Sequence, residues 1–172
     1  MAPDEPKVGD TQTDQPSLDE LGELLELQGC VQGSADGKGR LKLPSAVRKY
    51  LEATGEKIFV VTTLDLEAVR IYTRKDWRRN AAILDNATSE AARSVYYVAK
   101  VYARVGSIDN QGRLPMSPEL RRRLDIGTGH VYFLKSKDHI EVYSDSVHKA
   151  RLEQAETNLP SKLREVEALG VR

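Results

Sequence analysis

A single cysteine, Cys30, in 172 residues leaves no partner for an intrachain disulfide, so the fold cannot rest on a covalent framework. A reducing, cytoplasmic setting is the expectation. No apolar run approaches the ~20 residues that a membrane helix requires, and no membrane partner is expected. Met1-Ala2-Pro3-Asp4-Glu5 offers neither a basic start nor an apolar stretch, so no secretory leader is expected. The three histidines, His130, His139 and His148, fall on different expected elements, which argues against a metal site. No glycine-rich loop opens a helix after a strand, and no Ser, His and Asp set declares itself. The expectation is a protein that is not an enzyme, with no cofactor and no small-molecule substrate.

Net charge is also lacking, but only in the sum. With 40% hydrophobic and 30% charged residues the chain reads as a soluble globular protein, and 26 acids balance 26 bases. Residues 1–27 nevertheless hold eight acids against one base, Lys7, so the remainder carries the matching basic excess. A basic body with an acidic tail suits a polyanionic partner; a solvated tail on an ordinary charged surface is the plain alternative.

What is present is one short phrase, stated twice. Asp36-Gly37-Lys38-Gly39-Arg40-Leu41 returns as Asp109-Asn110-Gln111-Gly112-Arg113-Leu114. Asp36 and Asp109, Arg40 and Arg113, Arg48 and Arg121, and Leu51 and Leu124 are each 73 positions apart. Agreement of register over that length marks an internal duplication.

Each copy has the same frame. Gly29–Ala35 is a weak strand, and Arg40-Leu41-Lys42-Leu43-Pro44 alternates as a half-buried strand does. Between them, Asp at the turn start and glycine at its end predict a β-hairpin tip. Ser45–Leu51 is expected as a short helix with Val47 and Leu51 inward and Arg48-Lys49 toward solvent. Strands follow at Lys57–Thr62 and Val69–Tyr72. Thr73 is expected to cap one linking helix, and a second starts after a break at Asp85-Asn86. In the second copy Val101, Ala103 and Val105 alternate as a strand, Asp109–Gly112 turns, and Arg113–Met116 returns. Ser117-Pro118 starts a helix carrying Arg121-Arg122-Arg123, and strands follow at Val131–Leu134 and Ile140–Tyr143. Ser144 matches Thr73 as a cap, and the tail is helix-prone with a break at Leu159-Pro160. Ahead of the first copy, residues 1–16 lack apolar periodicity, and Ser17-Leu18-Asp19-Glu20 is a capping box before Leu21, Leu24, Leu25 and Leu27. Cys30 is expected to be a small buried residue.

Two Asp-x-x-Gly-Arg hairpins, each followed by a basic helix and a strand pair, resemble the MraZ family of bacterial transcriptional regulators. That family lies in the swapped-hairpin superfamily typified by the AbrB and SpoVT regulators and the MazE-type antitoxins. The likeness covers about residues 28–150, and Leu43-Pro44 matches the family's strand-ending proline, whereas Met116-Ser117 departs from it. The acidic tail ahead of the first repeat is a further departure.

The resemblance implies an α+β, mainly β fold: two strand-hairpin-helix units interleaved as one pseudo-twofold, barrel-like core with flanking helices. The expected division is an acidic tail at 1–27, SpoVT-AbrB-like repeats at 28–76 and 101–149, linker helices at 77–100 and a helical tail at 150–172. It also implies double-stranded DNA as partner, a homo-oligomeric ring engaging direct repeats upstream of a division and cell-wall gene cluster, and a nucleoid-associated location.

On that reading Lys38, Arg40, Lys42 and Arg113 contact DNA from the hairpins, Arg to guanine or phosphate, while Asp36 and Asp109 orient the arginines. Arg48, Lys49, Arg121 and Arg122 hold the phosphate backbone. Plain alternatives are an Asp-capped turn whose Arg serves the turn, and a solvated helix face. An antitoxin-like DNA binder whose tail covers a toxin, and an oligomeric scaffold without DNA binding, stay open.

Overall fold

Alternation and caps settle most of the elements. The computed structural model describes residues 29–172, so the acidic tail and its expected short helix lie outside the described residues. In chain order these residues form β1 (Cys30–Ala35), β2 (Arg40–Lys42), α1 (Ser45–Ala53), β3 (Phe59–Thr62) and β4 (Val69–Thr73). Then come α2 (Arg74–Asn86), α3 (Glu90–Tyr102), β5 (Arg104–Gly106), β6 (Arg113–Pro115) and α4 (Pro118–Arg123). β7 (His130–Lys135), β8 (His139–Ser144), α5 (Asp145–Glu156) and α6 (Leu159–Glu167) complete the order. In α1 the i, i+4 pair Val47 and Leu51 is buried. Thr73, Ser89, Ser117 and Ser144 each accept a backbone N–H three residues on, capping α2, α3, α4 and α5. Each such cap contributes about 1 kcal/mol.

All strand pairs are antiparallel, in the order β5-β3-β4-β8-β7-β1-β2-β6, a nearly closed, barrel-like sheet. The pairing crosses between the copies. β1 of the first copy pairs with β7 of the second, and β5 of the second pairs with β3 of the first. Leu41 lies opposite Leu114, its own counterpart, and Arg70 lies opposite Glu141, the equivalent position of the second copy. Residues that face their own repeats mark a pseudo-twofold axis, which runs between β2 and β6 and between β4 and β8. The expected swapped-hairpin core is present. Its interior is built by Leu41, Leu114, Val61, Ile71, Phe133, Ile140 and Val142, all essentially without solvent exposure.

The barrel stays unlaced at one joint. In the first copy β1 and β2 pair through Ser34 and Lys42. The residue in Lys42's place is Pro115, which has no N–H to give to a ladder. β5 and β6 therefore end the strand order. Their backbones still approach closely: a Cβ built on Gly106 would lie 2.3 Å from Pro115 Cγ, so a side chain there would collide with the ring.

Three expectations need correction. The second copy's first strand begins at Arg104, because α3 runs on to Tyr102; Val101 and Val105 are 53% and 60% exposed and do not alternate inward. Ala99 and Tyr102 have helical spacing and face the body, and burying them decides the matter. Cys30 is exposed at the strand end, not buried. Pro160 does not stop a helix; it sits in the first turn of α6, where its missing N–H is not needed, and the break falls at Asn158 in a left-handed conformation.

Candidate nucleic-acid interface

The two turns are built alike, bond for bond. Asp36 Oδ1 accepts the backbone N–H of Lys38 at 2.9 Å and of Arg40 at 3.0 Å, and Oδ2 accepts Arg40 Nε at 2.7 Å. Asp109 Oδ1 accepts from Gln111 at 2.9 Å and Arg113 at 3.0 Å, and Oδ2 from Arg113 Nε at 2.7 Å. Gly39 and Gly112 close the turns at φ +77° and +70°, a left-handed conformation that a side chain would strain. Partial desolvation raises the Asp36 carboxyl, but the Arg40 N–H, the Arg40 guanidinium and the Lys38 N–H outweigh it and bring it down to about 2. Asp109 is lowered by the same kind of donors against the same desolvation.

The sign of the resulting pH dependence is fixed. A carboxyl depressed on folding contributes stability that is present above its ordinary value of 3.8 and lost as pH falls through about 2. Asp36→Asn is expected to lower the thermal midpoint at pH 7, with the gap to the unmodified protein closing between about pH 4 and pH 2. Melting curves across that range are the check; a gap independent of pH would remove the carboxylate from the turn's support.

The turns are not separate tips. β2 pairs with β6 along Arg40–Lys42 and Arg113–Pro115, and the end of each return strand is tied to the other turn. Leu43 N–H donates to Gly112 O at 2.9 Å, and Met116 N–H to Gly39 O at 3.2 Å, a pair related by the axis. Because Leu41 and Leu114 point inward, Arg40, Lys42, Arg113 and Pro115 all lie on the outer face, with Lys42 directly opposite Arg113. β2 has neighbours on both sides, so the first hairpin is part of a sheet and not a free two-stranded ribbon.

The expected contact residues separate into two groups. Arg40 is held by its own turn, with Nη2 2.6 Å from Asp36, and its Nη1 lies 4.0 Å from Asp109 of the other turn. Arg113 bonds Asp109 through Nε, and no hydrogen bond from its two terminal nitrogens is found among the described residues. Arg121 gives Nε to Ile126 O and Nη1 to Gly37 O, both at 3.0 Å, so the second copy's helix braces the first copy's turn. Arg48 lies against the second copy's turn, with Nη1 3.2 Å from the position a Cβ on Gly112 would take and Nε 3.7 Å from Glu52. It does not simply face solvent. Lys38, Lys42, Lys49 and Arg122 are exposed, and of these Arg122 alone has an ion-pair partner among the described residues, Glu119 at 3.5 Å.

Sequence reasoning recognised the two phrases as repeats with different tips but missed that they form one surface. Exposed Asn110, in the second turn, was not among the expected contacts. The available signal was the ungapped 73-residue offset through Leu41 and Leu114, which lets each strand face its own repeat.

The described residues form a nearly closed, barrel-like antiparallel sheet that carries the two turns side by side, and the chain's relatives are named transcriptional regulators. No family model matches the chain. It is 27% identical to the transcriptional regulator MraZ of Dechloromonas aromatica (strain RCB) over 138 residues, 79% of this chain and 93% of that protein. It is 26% identical to the transcriptional regulator MraZ of Spiroplasma kunkelii over 134 residues, 76% of this chain and 90% of that protein. With the transcriptional regulator MraZ of Syntrophotalea carbinolica (strain DSM 2380 / NBRC 103641 / GraBd1) it shares 25% identity over 150 residues, 85% and 99% of the two chains. Over most of its length the chain is thus similar to proteins named transcriptional regulator MraZ.

Proposed function

We propose that this transcriptional regulator binds double-stranded DNA sequence-specifically through the outer face of the β2–β6 ladder. The observation that carries the reading is the clustering of Arg40, Lys42 and Arg113 on one face, with Lys38 at the adjoining turn. Lys38, Lys42 and Arg113 make the contacts, to phosphate or to guanine O6 and N7. Arg40 is oriented by Asp36, and Arg113 by Asp109. Lys49 and Arg122 flank the face and neutralise backbone phosphate, while Arg48 and Arg121 brace the turns.

Residues 28–76 and 101–149 act as the two halves of one reading unit, joined by the helices at 77–100. The operator is a set of direct repeats upstream of a division and cell-wall gene cluster, and the protein works at the nucleoid as a homo-oligomeric ring. In such an array several weak contacts add through effective concentration.

Gel shift with DNA from upstream of the protein's own gene is the test. Binding is expected to fall steeply between 50 and 200 mM salt, by about 10³-fold if roughly six phosphates are engaged. Failure to shift that DNA in preference to scrambled DNA of equal length would favour the scaffold reading.

A further inference from the structure

We propose that residues 17–28, the acidic, leucine-bearing segment ahead of β1, dock as a helix on α5 and β7 of the same chain. They take the place that α3 holds on α2 and β3. The inference comes from the crossed pairing and does not rest on DNA binding.

In the second copy, α3 runs into β5 with one residue between, and β5 pairs with β3. The helix is thereby laid across β3, where the buried Thr62 hydroxyl donates to the Ala99 carbonyl at 2.6 Å. In the first copy β1 pairs with β7 by the same crossing. A helix that entered β1 as α3 enters β5 would lie across β7 beside α5. The axis brings it there.

Among the described residues nothing covers that place. Ala81 and Leu84 of α2 are half-buried, whereas the residues 71 positions later on α5, Leu152 and Ala155, are exposed, Leu152 by 48%. The caps Thr73 and Ser144 share that 71-residue offset, so the comparison is position for position. α6 does not fill the gap: every residue from Lys149 to Arg172 is exposed, and Lys162 Nζ reaches only the carbonyls of Gln154 and Ala155 at the far end of α5.

The sequence ahead of β1 supplies the matching face. Leu18, Leu21, Leu24 and Leu25 repeat the spacing of Ala92, Val95, Val98 and Ala99, the residues of α3 that face the body. Ser17-Leu18-Asp19-Glu20 supplies a capping box at the start. The offset here is 74, one more than in the turns, and Gly29, at φ +83°, lies in the connection where the additional residue must be absorbed. Asp19, Glu20, Glu23 and Glu26 would stand away from the leucines, next to α5, where Lys149 and Arg151 are paired with Asp145 and Glu67. The segment joins at the end of β1 remote from the Asp36 turn, six residues or about 20 Å away. Docked there, its acids are held clear of the β2–β6 face.

Hydrogen exchange on the full chain tests this. Amides 20–27 are expected to exchange at least ten-fold more slowly than in a free peptide of residues 1–28. Leu152→Asp, an exposed position, is expected to abolish that protection while β3, β4 and β8 stay protected; Ile83→Asp on α2 is expected to leave it intact. Leu25→Asp, changed from the segment's side, is expected to abolish it equally. Peptide-like exchange in the unmodified chain overturns the proposal, as does protection that survives Leu152→Asp. Protection that fades on dilution also overturns it, since a neighbouring copy would then be the host.

Discussion

Replacing Lys42 and Arg113 together by alanine is expected to weaken DNA binding about 100-fold while leaving the fold intact. The two side chains sit opposite each other on the outer face of β2 and β6, between the inward Leu41 and Leu114. Lys42 has no acidic partner among the described residues, and Arg113 is partly exposed beside its Nε bond to Asp109. A base or phosphate contact by such a group contributes about 1–3 kcal/mol. Two neighbours that share one stretch of DNA add less than their sum, and about 3 kcal/mol corresponds to the 100-fold loss. Anisotropy titrations at several salt concentrations would separate the roles. A lost phosphate contact lowers the salt slope by about one, whereas a lost guanine contact relaxes sequence preference at one position. An affinity within two-fold of the unmodified protein would move the contact surface off this ladder.

Leu114→Ala is expected to be the most destabilising single change, at about 3–4 kcal/mol. Leu114 is fully buried, lies opposite its counterpart Leu41, and belongs to the cluster formed with Phe133, Ile140 and Val61. Truncation leaves a cavity on the axis, where both halves of the chain meet and neither can close in without disturbing the other. For a chain of this size the thermal midpoint should fall by about 6–16 °C. Leu41→Ala should match it within about 1 kcal/mol, because the axis makes the two sites near-equivalent, and the double variant should lose less than the sum. Calorimetry of the three proteins decides. A strong inequality between the single variants would contradict the symmetry.

The parts of this fold that depend on neighbours in sequence were legible: the two turns, the caps at Thr73, Ser117 and Ser144, and the inward pair Val47 and Leu51. The exchange of partners was not legible in alternation, because β1 pairing with β7 and β1 pairing with β3 would need the same pattern of residues. Only the resemblance carried it. The stretch around Val101 misled because Val98, Ala99 and Tyr102 satisfy a helical period while Val101, Ala103 and Val105 satisfy a strand period. Packing of Ala99 on β3 decides between them. At the site, the charges were visible but their obligations were not. Arg121 read as a phosphate-facing cation in the sequence, yet its guanidinium is held by the Gly37 and Ile126 carbonyls.

The proline in the eighth strand position has a mechanical meaning. Seven of the eight joints in this ring of strands are laced by backbone hydrogen bonds, and the joint between β5 and β6 is not. A ring with one unlaced joint has a preferred place to part, so breathing of the wall should begin beside Gly106 and Pro115 and travel outward from there. The same proline denies a foreign strand the donors it would need to slot into the gap. The wall can flex at this joint without offering an edge on which other chains could polymerise.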